Sequence, residues 1–354
     1  MKRREFILAA CLAPSLARSE VHYPSVDRSI ALTFPRDHGS HPSFRTEWWY
    51  ITGWLRSADG RDYGVQVTFF RTRPGVNEQS ASRFAPTQLL FAHAAIADPR
   101  TGRLRHDERA ARAGFDLART SEETTDVVIG DWSLKLAGDR YTANVVAREF
   151  ALTLTFDAQT PLMLQGDRGV SRKGPRDAQA SYYYSRPQLA TRGTLTLNAQ
   201  DIVVTGTSWL DHEWSSEYLA PEAQGWDWTG INFDDGGALM AFVIRGKDGA
   251  RYWAGGAMRD AAGTQRVFSP DDVRFVPQRS WRSPRTNVEY PVAMRIEAGG
   301  ASWNLAPLMD DQELDSRASV GTIYWEGAVR ATRDGRAVGR GYLELTGYAG
   351  ALKI

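Results

Sequence analysis

The stretch Thr207-Ser208-Trp209-Leu210-Asp211-His212-Glu213-Trp214 decides how the rest of the chain reads. It crowds two tryptophans, two carboxylates and a histidine into what reads as one β-strand. Side chains on a strand alternate between faces. Leu210, His212 and Trp214 therefore share one side, and Trp209, Asp211 and Glu213 the other. A His-x-Trp pair aimed into an apolar hollow can handle protons or hold a ligand, so the first expectation is that His212 faces a cavity. The competing reading is a core histidine bonded to a neighbouring strand. A second cluster, Trp226-Asp227-Trp228, follows after a short polar link.

Working outward, strands recur almost everywhere. Glu47-Trp48-Trp49-Tyr50-Ile51-Thr52-Gly53-Trp54-Leu55 is aromatic and β-branched and runs into Asp59-Gly60, a hairpin signal. Tyr63–Phe70 returns from it, and similar runs recur at 143–156, 193–197, 202–214, 238–245 and 342–348. Helical periodicity is weak; Pro270–Val276 suits one short helix. Repeated short strands with Gly and Asp-Gly turns argue for a sandwich or barrel.

The chain also repeats itself. Trp48-Trp49-Tyr50-Ile51-Thr52-Gly53 matches Trp226-Asp227-Trp228-Thr229-Gly230, each followed by an Asp-Gly turn and a strand ending in arginine, Arg71 or Arg245. Gly206–Asp211 likewise matches Gly339–Glu344. Two strand-rich halves of one ancestry follow, joined near 215–225, with an insertion within 72–180 of the first. Closing a sheet removes its edges, and about eight strands enclose room for one small ligand. Two such barrels fit the length, with tryptophans lining cavities or sealing the contact between halves.

Composition narrows the function. The 354 residues carry 43 basic and 42 acidic side chains, so nothing suggests a nucleic-acid binder. Lys2-Arg3-Arg4-Glu5-Phe6-Ile7 resembles a twin-arginine export signal, with an apolar run to Leu16 and a small-x-small site at Ala17-Arg18-Ser19. Residues 1–19 are accordingly read as a removed signal peptide and the product as periplasmic or secreted. Lipoprotein anchoring at Cys11 is the minor alternative. Cys11 is the single cysteine, so its removal leaves no disulfide, thiolate metal site or cysteine nucleophile. No later run approaches the ~18 apolar residues that span a bilayer.

Several strings resemble the AttH and carotenoid 1,2-hydratase (CrtC) family. They are Phe34-Pro35-Arg36-Asp37-His38-Gly39, Arg45-Thr46-Glu47-Trp48-Trp49-Tyr50 and Tyr182-Tyr183-Tyr184-Ser185-Arg186-Pro187, then Trp209–Trp214, Asp311-Gln312-Glu313-Leu314, Tyr324-Trp325-Glu326-Gly327 and Leu345-Thr346-Gly347-Tyr348. The resemblance covers most of the mature chain and is closer to the AttH-like branch, often described as predicted secreted hydrolases. It implies an all-β fold of two tandem lipocalin-like β-barrel domains, at 20–215 and 216–354, around a cavity for a long apolar molecule.

In the hydratases, as the resemblance implies, water adds to an isoprenoid double bond without metal or cofactor. Such chemistry needs a carboxylic acid kept protonated by an apolar pocket. It also needs aromatic faces to steady a carbocation, worth ~2 kcal/mol or more when desolvated. The family's His-x-Trp pair maps onto His212 and Trp214. Its aromatic-x-Asp string has no carboxylate at the counterpart Leu239-Met240-Ala241-Phe242-Val243-Ile244, which leaves Asp227 and Glu213 as substitutes.

The candidate site is thus His212, Trp214, Asp227 and Glu213 for chemistry, with Trp48, Tyr50, Tyr183, Trp226, Trp228 and Tyr324 as ligand wall. Glu47 and Glu326 adjoin Trp-rich strands and need partners if buried; Arg71 and Arg245 are the structural ion-pair candidates. Asp211 is expected to hold an arginine. His38-Gly39-Ser40-His41 has ligand-like spacing but lacks convergent partners, so no metal site is expected. Gly-x-Ser-x-Gly, Walker and dinucleotide motifs are missing. Two functions remain. One is an exported protein binding an extended lipid or isoprenoid, working with an ABC-type membrane transporter. The other is a cofactor-free hydratase or related secreted hydrolase.

Overall fold

A computed structural model of the chain describes residues 21–76, 78–82, 84–217 and 219–351. The export segment read at residues 1–19, Cys11 included, lies outside the described residues. Regular structure among the described residues is β apart from two 3-10 turns, Arg36–His38 and Pro270–Asp272. The second turn is all that forms of the helix expected at 270–276. Ser269 and Asp272 close a capping box around Pro270, and Val273–Arg282 then runs as a strand. Three residues offer too few backbone bonds to propagate a helix where a strand partner is available.

The strands form two sheets, one of 13 strands between Thr46 and Ser215 and one of 10 between Ala223 and Leu345. Both are antiparallel and share a topology. In the first, the opening strand Thr46–Ser57 pairs with its hairpin partner Asp62–Thr72 and with the closing strand Gln200–Ser215. In the second, Ala223–Phe233 pairs with Ala238–Gly246 and with Arg336–Leu345. Each sheet curls into a nearly closed lipocalin-like barrel.

The repeat in the sequence is therefore a repeat of topology, though its glycines do not coincide. A Cβ on Gly53 would meet the Ser208 hydroxyl, whereas one on Gly230 would lie 2.6 Å from the Trp228 ring. Gly53 belongs to the face that looks into its own barrel; Gly230 belongs to the opposite face. The true correspondence puts Trp48 with Trp226 and Tyr50 with Trp228.

The three largest of four apolar clusters organise the described residues. Trp49, Ile51, Val67, Phe69, Leu210 and Trp214 fill the first barrel. Leu239, Val243, Met294, Trp325 and Leu343 fill the second. Tyr50, Trp54, Tyr183, Trp209, Trp228 and Phe242 form a third between the barrels. Alternate residues of one strand thus serve two cores, which is why Thr46–Leu55 is almost continuously buried and reads as an unbroken apolar run. Large aromatics bury ~150–250 Å² each, enough for these clusters to hold the fold without covalent cross-links.

Candidate functional site

Two polar clusters are built on the opposite faces of those shared strands. The first lies inside the first barrel and centres on Glu47, which is wholly buried. Its oxygens accept hydrogen bonds from Arg71 Nε at 2.8 Å, Ser40 Oγ at 3.0 Å, His41 Nδ1 at 2.8 Å and His212 Nε2 at 2.9 Å. Burial would raise the Glu47 carboxyl, but Arg71 and then His41 hold it well below the usual range. Burial likewise opposes the charge on His41, which Glu47 and Asp37 outweigh and so raise. The His41 ring stacks on Trp214 at 3.7 Å, where a cation over an indole face is favoured.

His212 continues this network. Its Nδ1 accepts from the Tyr184 hydroxyl at 3.1 Å, which accepts from His38 Nδ1 at 2.8 Å, while His38 Nε2 accepts from Arg186. The tautomers follow from which groups can only donate. Burial first, against the pull of Glu47, lowers His212 to about 4 and leaves it neutral. Its ring packs between Trp49 and Trp214, with no exposed surface. His41, Glu47 and His212 bring three metal-capable atoms within 4.8 Å of one another. Each of those atoms is joined to another by a hydrogen bond, and Arg71 already balances the carboxylate. The set as it stands is a closed hydrogen-bond network.

The second cluster lines a cavity of about 700 Å³ between the barrels. Its walls include Trp48, Tyr50 and Tyr183 from the first half and Trp226, Trp228, Phe242 and Tyr324 from the second. Five carboxyls line it: the exposed Glu217, and four that are buried or half-buried, Asp211, Glu213, Glu326 and Glu344. Glu213 is paired with Lys173 Nζ at 2.8 Å, and that ammonium also sits over the Tyr183 and Phe242 rings. Asp211 accepts from Tyr183 Oη at 2.7 Å, Ser185 Oγ at 2.5 Å and Trp209 Nε1 at 2.7 Å. Burial pushes it up to about 7 even so.

Glu326 is the most perturbed of the four. It stands directly across from Glu344 on the neighbouring strand. Glu344 accepts from Trp226 Nε1 at 3.0 Å and is pushed up to about 7, chiefly by burial. Among the described residues Glu326 has no ion-pair partner, and its Oε1 is buried with no hydrogen-bond partner. Burial, then Glu344, drive its pKa well above the ordinary carboxyl value, and the nearby Tyr50 and Tyr324 hydroxyls offset this only in part. The surroundings of Glu326 thus favour its protonated form.

The structure therefore brings most of the expected residues together but distributes them differently. All six expected ligand-wall residues line the cavity, and so does Glu213. His212 and Trp214 do not: the strand's parity reads correctly, but the face carrying Trp209, Asp211 and Glu213 is the one that meets the cavity. The barrel interior behind His212 is filled by Trp49 and its neighbours. Asp227 points into the second barrel, where it binds Arg245 Nε at 3.1 Å and the Tyr348 hydroxyl at 3.1 Å and is raised by burial to about 6. Glu47 and Arg71 form the expected ion pair. Glu326 and Arg245 do not, because Arg245 is committed to Asp227. Asp211 holds hydroxyls and an indole where an arginine was expected.

Glu344 as a wall residue, and His93 and Ser319 beside it, were not singled out from sequence. Glu344 had one signal, its match to Asp211 in the repeat, and the two do occupy equivalent cavity positions, opposite Trp228 and Tyr50 respectively. His93 lies in Leu89–Ala97, an apolar strand that carries no motif.

A family model described as AttH-like matches residues 25–348. A crystal structure of a candidate AttH from Nitrosomonas europaea is 55% identical, superposes with a TM-score of 0.87, and is matched over 92% of this chain and 99% of its own. Kievitone hydratase from Nectria haematococca shares the fold at 15% identity and a TM-score of 0.70, over 94% and 97% of the two chains. CghA with Sch210972 does so at 15% identity and a TM-score of 0.53, over 92% and 98%. No curated protein matches the sequence.

Proposed function

The chain belongs to the AttH-like family, and from that premise we propose that it takes an extended apolar molecule, a lipid or isoprenoid, into the cavity between its barrels and protonates it there. The observation that carries this reading is Glu326: a buried carboxyl with an unpartnered oxygen, facing a second acid across the sheet. Burial raises both Glu326 and Asp211, but three accepted hydrogen bonds hold Asp211 back while Glu326 keeps an unpartnered oxygen. Carboxyls that differ in this way can divide the roles of acid and base. Glu326 is the acid. Asp211, already accepting three hydrogen bonds, is the base.

On an alkene the sequence would be hydration. The Glu326 proton goes to one alkene carbon, and the π-electrons of the double bond form the new C–H bond. The cation left on the other carbon is steadied by the indoles of Trp48, Trp226 and Trp228. Water then forms the C–O bond and gives its proton to Asp211. This kinship of chemistry fits the name of kievitone hydratase, although the likeness at 15% identity is one of fold. An exported location, with supply of the molecule by a membrane transporter, belongs to the same proposal; cell fractionation tests it.

The direct experiment incubates the purified protein with geranylgeraniol, squalene or oleic acid in isotopically labelled water. Tryptophan emission follows binding and mass spectrometry follows incorporation of label. Wild type should bind and hydrate one of these compounds. Glu326→Gln should bind it with unchanged affinity and lose hydration by ~10²-fold or more, the usual contribution of a positioned acid. Hydration at the wild-type rate in that variant, or failure of all three compounds to bind, would overturn the proposal.

A further inference from the structure

A buried acid that gives up its proton at every turnover must recover one, and the cavity wall is dry once an apolar molecule fills it. His93 sits beside that wall with no exposed surface, on the Leu89–Ala97 strand, directly across from Glu108 on the next strand and beside the Phe70 ring. Its Nδ1 lies 2.8 Å from the Tyr324 hydroxyl and its Nε2 2.9 Å from Ser319 Oγ. The Ser319 hydroxyl in turn binds Glu108 Oε2, as does the Ser319 backbone N–H at 3.2 Å. His93 and Glu108 belong to the first barrel, Ser319 and Tyr324 to the second half.

The donors order themselves. Ser319 has a single hydroxyl hydrogen, and it points at Glu108. Ser319 Oγ must then accept from His93 Nε2–H, which leaves Nδ1 to accept from the Tyr324 hydroxyl. Every link runs in one direction, from the cavity to the partly exposed Glu108. Burial, helped by His106, lowers His93 to about 3, so the ring is neutral. A neutral imidazole gives a proton from one nitrogen while taking one at the other, and its two tautomers are the two directions of such a chain. Besides Tyr324 and Glu108, the ionisable group that acts on the ring is His106. At the inner end, Tyr324 precedes Glu326 by two residues on the same strand face, and both line the cavity.

We propose that Glu108, Ser319, His93 and Tyr324 form a proton relay between solvent and Glu326. This rests on the reading of Glu326 as the proton donor. The array in the structure is the one an inward delivery leaves behind. Before delivery the chain stands reversed, with the His93 hydrogen on Nδ1, the Ser319 hydroxyl pointing at Nε2 and the Tyr324 hydroxyl pointing at Glu326. From that state, one proton taken up at Glu108 passes to Ser319 Oγ as the serine hydrogen moves to His93 Nε2. The His93 Nδ1 hydrogen moves to the Tyr324 oxygen, and the Tyr324 hydrogen moves to the Glu326 carboxylate. One O–H or N–H bond forms and one breaks at each intermediate member, and the net change is one proton gained at Glu326. His93, Ser319 and Glu108 act through Tyr324 and need not touch the substrate; they are positioning residues.

The test is time-resolved infrared spectroscopy of the full chain after a rapid change of pH. The Glu326 carboxyl band is identified as the one lost in Glu326→Gln. Ser319→Ala should leave that band and the melting temperature in place but slow its response to the pH change on the order of tenfold or more. Glu108→Gln should slow it equally, and Ser319→Thr, which keeps a hydroxyl, should restore it. A structural role for these groups would move melting temperature and leave the rate alone. Wild-type rates in both Ser319→Ala and Glu108→Gln would overturn the relay while the band itself stood. A wild type with no protonated Glu326 band near neutral pH would overturn the acid reading, and the relay with it.

Discussion

Glu326 and Glu344 face each other across adjacent antiparallel strands, Thr322–Arg333 and Arg336–Leu345, in the wall of the inter-barrel cavity. Like charges directly opposite one another on a sheet are destabilising, so the pair favours a state in which at least one of the two carries a proton.

Stability should therefore fall as pH rises. The folded pKa of each acid lies above the ordinary glutamate value of 4.5, near 7 for Glu344 and well above 4.5 for Glu326. Folding thus favours the protonated forms. Their contribution is complete below pH 4.5 and is lost as pH climbs through 7 and beyond. The unfolding free energy from urea titration should drop across that window in wild type by an amount on the order of 1–3 kcal/mol, and Glu344→Gln should flatten the slope.

His212 should behave in the opposite sense. Its folded pKa, near 4, lies below the ordinary 6.5. The neutral ring's contribution is present above pH 6.5 and is lost as pH falls through 4. His212→Gln should lower the melting temperature and soften acid unfolding in that window, yet leave ligand affinity within about twofold, because the ring contacts Glu47 and Trp49 and not the cavity.

Removing the cation beside Glu47 should be severe. Arg71→Met would leave a fully buried carboxylate facing two histidines without its main compensating charge, at a cost of about 3–5 kcal/mol. The double variant Glu47→Gln with Arg71→Met should recover much of that loss in the same urea titration. Additive losses would contradict an ion pair.

Gly230 governs one wall of the cavity. A methyl group there would lie 2.6 Å from the Trp228 ring and 3.0 Å from Trp209. Gly230→Ala should turn Trp228 away from its 3.0 Å bond to the Tyr183 hydroxyl, shift tryptophan emission, and weaken binding of an apolar probe roughly tenfold, a change of about 1.4 kcal/mol. Unchanged emission and affinity would mean that the wall is more compliant than a packed core.

Much of the fold was legible because it depends on local pattern. The aromatic strands, the Asp-Gly hairpins and the matched halves were all visible, as was the Glu47–Arg71 pair. What period two could not reveal is which face of Trp209–Trp214 meets a hollow. That depends on Trp49 filling the first barrel from another strand, and on a second barrel covering the opposite face. The same limit hid the acid pair. Glu326 and Glu344 are 18 residues apart, and only strand register sets them face to face. Without that register, pairing Glu326 with Arg245 was reasonable chemistry, but Arg245 turns inward to Asp227. The repeat pointed to Glu344 through Asp211, although its glycines were aligned to opposite faces.

The protonation state of Glu326 is the point on which the functional reading turns. Static infrared difference spectra of wild type minus Glu326→Gln, taken from pH 5 to pH 9, measure it directly. A protonated carboxyl band that persists at and above pH 7, and moves to lower pH in Glu344→Gln, is the expected result. A Glu326 already ionised at pH 6, insensitive to Glu344, would contradict it.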